Sequence, residues 1–134
     1  MPRLKTFIVE DSEVIRDNLV ATLQELTAVE VVGYAEDEGT ATAWLSQGDN
    51  DVQLVIVDIF LKHGSGLGVL QSAVGSGQQR KWVVFSNYAT GAMRARCAAL
   101  GAHRVFDKST EIDVLIAYCH RLAQGTDSQP VPVP

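Results

Sequence analysis

The chain has 134 residues, of which 46% are hydrophobic and 20% charged, and its formal net charge is -5. That length suits one domain with one core, and the composition is that of a globular protein rather than a disordered or fibrous one. No stretch approaches the roughly 18 apolar residues of a membrane span, and "MPRLKTF" leads into a strand rather than a signal peptide. The acidic balance argues against direct binding of nucleic acid, which needs clustered Lys and Arg. The expected location is the cytoplasm.

In chain order, "KTFIVE" is a short β-branched and aromatic run, and "DSEVIRDNLVATLQEL" after it spaces Ile15, Leu19, Leu23 and Leu26 as one helical stripe. Ser12 or Asp11 can cap that helix, with Glu13 favourably placed in its first turn. The strand-helix unit recurs as "VEVVGYAE" with "DEGTATAWLSQ", and again as "LVIVDIF" with "GLGVLQSAV". A fourth unit pairs "KWVVFS" with "ATGAMRARCAAL", where Met93, Cys97 and Leu100 share a face and Gly101 supplies a left-handed stop. The fifth pairs "HRVFDKS" with "EIDVLIAYCHRLA". There Thr110 and Asp113 read as a capping box, and Ile112, Leu115, Ile116, Cys119 and Leu122 form the buried stripe.

Five such units predict an α/β fold with a doubly wound parallel sheet and helices on both faces. The third strand is apolar without alternation, as a central strand covered on both sides should be. Residues 1–124 make the expected domain. Residues 125–134, "GTDSQPVPVP", read as a proline-rich tail or linker stump, too short for a DNA-binding helical module.

Polar residues gather where ligands bind such a sheet, beyond the carboxyl ends of its strands. The first strand ends in Glu10 and Asp11, the third in Asp58, the fourth in Ser86 and Asn87, and the fifth in Asp107 and Lys108. Close carboxylates repel one another unless a cation compensates them, and magnesium takes one or two carboxylates together with a phosphate. Glu10, Asp11 and Asp58 suit that ion. A carboxylate can also attack phosphorus to give an acyl phosphate, with Lys108 and the Ser86 hydroxyl stabilising the phosphoryl oxygens.

At these residues the chain resembles the receiver domain of two-component response regulators, over essentially Leu4 to Ala123. The marks are "VEDS", "VDIFLKHGSG" with Gly66 eight residues beyond Asp58, "VVFSN" and "GAHRVFDKS", in that order. The resemblance implies a flavodoxin-like sheet of strand order 2-1-3-4-5. It implies Asp58 as phosphoacceptor, Glu10 and Asp11 as the acidic pair for Mg2+, and the Phe60 backbone carbonyl as a further metal ligand. Ser86 and position 105 become the switch residues, and Lys108 the phosphoryl-binding lysine. The implied partners are a sensor histidine kinase or phosphotransfer protein, a downstream protein and a second copy in a homodimer, with no membrane among them. The chain would catalyse only its own phosphorylation and dephosphorylation.

The pattern departs from the family at several positions. Lys62 and Ser109 stand where proline is usual, and the first substitution predicts a more mobile loop. Val105 occupies the place of an aromatic switch residue, Asn87 that of a small one, and Phe60 and Tyr88 are bulky at positions that influence hydrolysis. Two other readings accommodate the same fold: a binding module that works without phosphorylation, and a magnesium-dependent phosphatase of the aspartyl-phosphate type. Cys97 and Cys119 read as reduced core thiols, and His63, His103 and His120 as scattered structural or surface residues. The segment "GSGLG" lacks the Lys-Ser/Thr ending of a phosphate loop. Arg94, Arg96 and Arg104 with Lys108 read equally as a partner patch or a solvated face.

Overall fold

A computed structural model describes residues 3–47, 51–73 and 80–125. The expected proline-rich tail lies outside these residues apart from Gly125, whose φ of 76° follows the last helix. Strands and helices alternate through the chain: β1 (Leu4–Val9), α1 (Glu13–Leu26), β2 (Val29–Ala35), α2 (Glu38–Leu45), β3 (Leu54–Val57), α3 (Gly66–Ala73), β4 (Lys81–Ser86), α4 (Gly91–Ala99), β5 (Arg104–Asp107) and α5 (Ile112–Ala123). The five strands are parallel and hydrogen-bonded in the order β2-β1-β3-β4-β5. This is the doubly wound, flavodoxin-like arrangement that the sequence predicts.

Each strand's alternation divides its side chains between two cores. Val55 and Val57 of β3 join Phe7, Val9, Val84, Leu45, Leu70 and Cys97 on one face. Leu54 and Ile56 join Ile8, Val83, Phe85, Leu19, Leu23, Leu115 and Cys119 on the other. Every residue of β3 is buried, which accounts for its unbroken apolar run. At about 1.5–3 kcal/mol for each large apolar side chain removed from water, these two layers supply the main force holding the strand ends in register.

Three expectations about packing need correction. Leu26 closes α1 at 57% exposure, outside the stripe made by Leu19 and Leu23, because the chain turns at Thr27 to enter β2. Ile112 lies at the mouth of α5 and is 39% exposed. The Thr110–Asp113 capping box does not form: α5 starts after Glu111, with no side-chain cap. Nearby acceptors are engaged instead, Asp107 with the Ser109 amide (2.8 Å) and Glu111 with the Asp107 amide (2.9 Å). The Lys108–Ser109 peptide bond is trans.

Two glycines record close approaches. In β2, Val32 is skipped in the pairing with β1, a local bulge that brings Gly33 opposite Phe7. A Cβ on Gly33 would lie 3.1 Å from the Trp44 ring, which stacks on Phe7 with centroids 4.2 Å apart. Gly66 starts α3 directly against the backbone of Asp58, and a Cβ there would overlap the Asp58 carbonyl oxygen. This contact explains the spacing between the two residues. Gly66→Ala is expected to lower the unfolding free energy by about 2 kcal/mol or more, since backbone must move to admit the methyl group. Gly91→Ala, at an open position in the first turn of α4, should leave stability unchanged or raise it by up to about 1 kcal/mol. Urea denaturation of the two variants checks the contrast.

Candidate functional site

Asp58 is the first residue beyond β3. Its N–H donates to the Val9 carbonyl at 2.9 Å, so the β1–β3 ladder carries the chain to the sheet edge and releases it there. On the neighbouring strand, the Glu10 N–H donates to the Ala35 carbonyl at 3.0 Å. The Glu10 carboxylate accepts from the Ser12 amide at 3.0 Å, and Ser12 in turn caps α1 by accepting from the Ile15 amide. Glu10 and Asp58 are buried, whereas Asp11 is partly open to solvent. Carboxylate oxygens of Glu10, Asp11 and Asp58 all lie within 4.8 Å of one another. This hard, all-oxygen donor set fits a divalent cation such as magnesium.

Lys108 enters from the end of β5. Its N–H donates to the Ser86 carbonyl at 3.0 Å, and its Nζ reaches Asp58 Oδ2 at 2.8 Å and also hydrogen-bonds Glu10 Oε1. The Lys108, Glu10 and Asp58 side chains are 9%, 4% and 10% exposed. Burial alone would lower the Lys108 pKa, but its bonds to Asp58 and Glu10 outweigh that and raise it, keeping the ammonium charged. For Glu10 the balance falls the other way. Desolvation raises its pKa more than the bonds from Lys108 and Ser12 lower it, and the Asp58 charge adds to the rise.

A cleft of about 230 Å³ opens above these groups, lined among others by Asp11, Asp58, Phe60, Ser86, Tyr88 and Lys108. Ser86 is fully buried at its floor, and its Oγ accepts from the Tyr88 amide at 3.2 Å. Phe60 and Tyr88 are more than half exposed at the rim, with ring centroids 4.4 Å apart. The structure therefore gathers Glu10, Asp11, Asp58, Phe60, Ser86 and Lys108 into one place. It leaves Val105 outside the cleft, packed against the core face that holds Val84 and Cys97, while Phe106 points to the opposite face. Asp107 also turns aside, accepting from the Ser109 amide and hydroxyl.

Arg94 does not belong to a free basic patch. Its guanidinium donates to the Ala89 carbonyl (2.9 Å), the Val105 carbonyl (2.8 Å) and Glu111 (2.7 Å), tying the β4–α4 loop to β5 and to the start of α5. Arg104 lies over the Tyr118 ring at 5.1 Å. His103 serves the sheet, its Nδ1 accepting from the Trp82 amide at 3.0 Å. Cys97 and Cys119 are free and buried, and burial pushes the Cys119 thiol up to about 12.

Arg16 went unrecognised in the sequence. Its side chain is 7% exposed, donates to the Glu10 carbonyl at 3.3 Å, lies 4.0 Å over the Tyr34 ring and approaches Glu36 at 3.9 Å. The available signal was its position three residues before Leu19, on the inward face of α1 and one turn from the acidic pair. Glu38 was missed as well, because the Ser65 amide its carboxylate accepts from is 27 residues away in the chain.

The response regulator receiver domain model matches residues 6–120. The fold is similar to that of a DNA-binding response regulator of the LuxR family from Staphylococcus aureus, at 16% identity and a TM-score of 0.79, covering 90% of this chain and 98% of that one. It is also similar to the response regulatory domain of protein mrkE from Klebsiella pneumoniae, at 20% identity and a TM-score of 0.79, covering 93% and 99% of the two chains. The response regulator domain of Thermotoga maritima CheB gives 18% identity and a TM-score of 0.77, with 96% and 99% covered. No curated protein sequence matches the chain. No helix among the described residues is long and apolar enough to cross a membrane. The chain belongs to the response regulator receiver domain family, the phosphoacceptor signalling domain of two-component systems.

Proposed function

We propose that Asp58 accepts a phosphoryl group from the phosphohistidine of a sensor histidine kinase or phosphotransfer protein, and that the domain signals by protein contact. The observation that carries this reading is the Lys108 ammonium hydrogen-bonded to both Asp58 and Glu10 at the sheet edge. An Asp58 carboxylate oxygen bonds to phosphorus as the phosphorus–nitrogen bond breaks. The electron pair departs on the imidazole nitrogen, which is left to take up a proton. Lys108 orients the Asp58 carboxylate through their hydrogen bond and stands ready for a phosphoryl oxygen, with the Ser86 hydroxyl offering a second donor. Glu10, Asp11, Asp58 and the Phe60 carbonyl would hold Mg2+, which when bound neutralises charge on the transferring group. Water later cleaves the acyl phosphate to inorganic phosphate, and no external substrate is turned over.

Phosphorylation places about -1.5 to -2 of charge on the phosphoryl group while the carboxylate's own -1 is lost, so the cleft gains about -0.5 to -1. That change biases the loop after Ser86 and α4, the surface read by a downstream protein or by a second copy in a homodimer. Residues 1–124 form the receiver unit and 125–134 a tail or linker, and the reading places the chain in the cytoplasm without direct contact to nucleic acid.

Incubation with a small phosphodonor and Mg2+ should label the wild-type protein once per chain and leave Asp58→Asn unlabelled. Labelling that survives in Asp58→Asn sinks the assignment, absence of any labelling favours a phosphorylation-independent module, and repeated turnover of a phosphoester favours a phosphatase. The Phe60–Tyr88 pair at the rim restricts the path of attacking water, so the phosphoryl group should hydrolyse slowly. Phe60→Ala or Tyr88→Ala should shorten the half-life, and a wild-type lifetime no longer than that of either variant contradicts this role.

Magnesium affinity should also fall with pH in a defined direction. Burial holds the Glu10 pKa above its ordinary 4.5, so Glu10 keeps a proton to higher pH than a free glutamate, and a metal must displace it. Binding measured by calorimetric titration should therefore begin to weaken above pH 4.5 as acid is added. Glu10→Gln should flatten the dependence in that window, and equally steep profiles for both proteins would exclude Glu10 as the group responsible.

A further inference from the structure

We propose that Glu38 is a positioning residue for the metal site, its carboxylate clamping the loop that carries Phe60. The inference rests on the reading above that the Phe60 carbonyl is a metal ligand. Lys62 stands in this loop where a proline would restrain the backbone, so the restraint has to come from elsewhere. The Glu38 carboxylate accepts from the Ser65 amide at 2.9 Å while the Glu38 N–H donates to the His63 carbonyl at 3.1 Å. This reciprocal pair fastens the loop to the first residue of α2, just after its cap Asp37, whose carboxylate accepts from the Thr40 amide at 2.7 Å.

The "GSGLG" segment is the seat for that carboxylate. Gly64 has a φ of 83°, a left-handed conformation that favours glycine. A Cβ on Gly64 or on Gly68 would run into the Glu38 side chain. Ser65 passes the restraint toward the site: its hydroxyl donates to the Ile59 carbonyl at 3.2 Å, and the adjacent Gly66 amide donates to the same carbonyl at 2.8 Å. Ser65 also forms an isolated antiparallel bridge with Phe60. Glu38 thus acts through Ser65 on residues one and two beyond Asp58, without touching the cleft.

The test compares wild type with Glu38→Ala, Glu38→Gln and Gly68→Ala by two measurements, amide hydrogen exchange of the metal-free protein and Mg2+ titration calorimetry. Glu38→Ala should lose protection at Ser65 and Gly66 and weaken Mg2+ binding about tenfold, the lower end for a group that orients a ligand indirectly. Glu38→Gln keeps a carbonyl acceptor for the Ser65 amide and should restore both properties to within about twofold. Gly68→Ala, which displaces the carboxylate while retaining Glu38, should reproduce the loss. Unchanged exchange in Glu38→Ala, or lost protection with unchanged Mg2+ affinity, overturns the inference and leaves the acidic site intact. Wild-type protein whose Mg2+ affinity equals that of Asp11→Asn overturns the metal-site reading and this inference together.

Discussion

The Lys108 ammonium is the contact on which the geometry of the site depends. It is nearly shut off from solvent and shared between Glu10 and Asp58, carboxylates that come from positions 98 and 50 residues away in the chain. Three carboxylates gathered without a cation would repel one another and shed charge by taking up protons. The ammonium compensates part of that repulsion, and its own charge is secured by the same bonds. Removing one partner of so buried a group costs about 3–5 kcal/mol, because an uncompensated charge remains. The arrangement holds the Asp58 and Glu10 carboxylates at defined places on the sheet edge.

The two cores make that placement possible. β3 contributes Val55 and Val57 to one face and Leu54 and Ile56 to the other, so the strand has no freedom to slip. A slip of one residue would exchange its faces and carry Asp58 to the wrong side. Hydrogen bonds from Asp58 to Val9 and from Glu10 to Ala35 pass the register on to neighbouring loops. Arg16 then secures the Glu10 carbonyl from below. Apolar burial therefore supplies the free energy, and the polar rim converts it into geometry.

The region around Val105 is held together without an aromatic side chain at that position. Val105 packs into the core beneath α4 and does not reach the cleft. Around it, Arg94 joins the Ala89 carbonyl, the Val105 carbonyl and Glu111. Ala89 belongs to the loop that leaves Ser86, so one guanidinium braces that loop, β5 and the start of α5 together.

By itself the sequence determined the order of elements, the doubly wound class and the residues at the strand ends. These follow from local periodicity and from the rule that polar groups of a parallel sheet gather beyond its carboxyl edge. Even the residue at the end of the buried run was legible, since only a strand terminus tolerates Asp58 after Leu54–Val57. The tertiary structure decided what depends on partners distant in sequence. It placed Arg16 under Glu10, closed Arg94 into a knot, seated Glu38 on the glycines of "GSGLG" and left Val105 outside the cleft. The start of α5 was decided the same way: the helix begins after Glu111, whose carboxylate accepts from both Arg94 and the Asp107 amide. A side chain's spacing reports which face of its element it occupies. Which group meets it there is set by the packing of elements far apart in the chain.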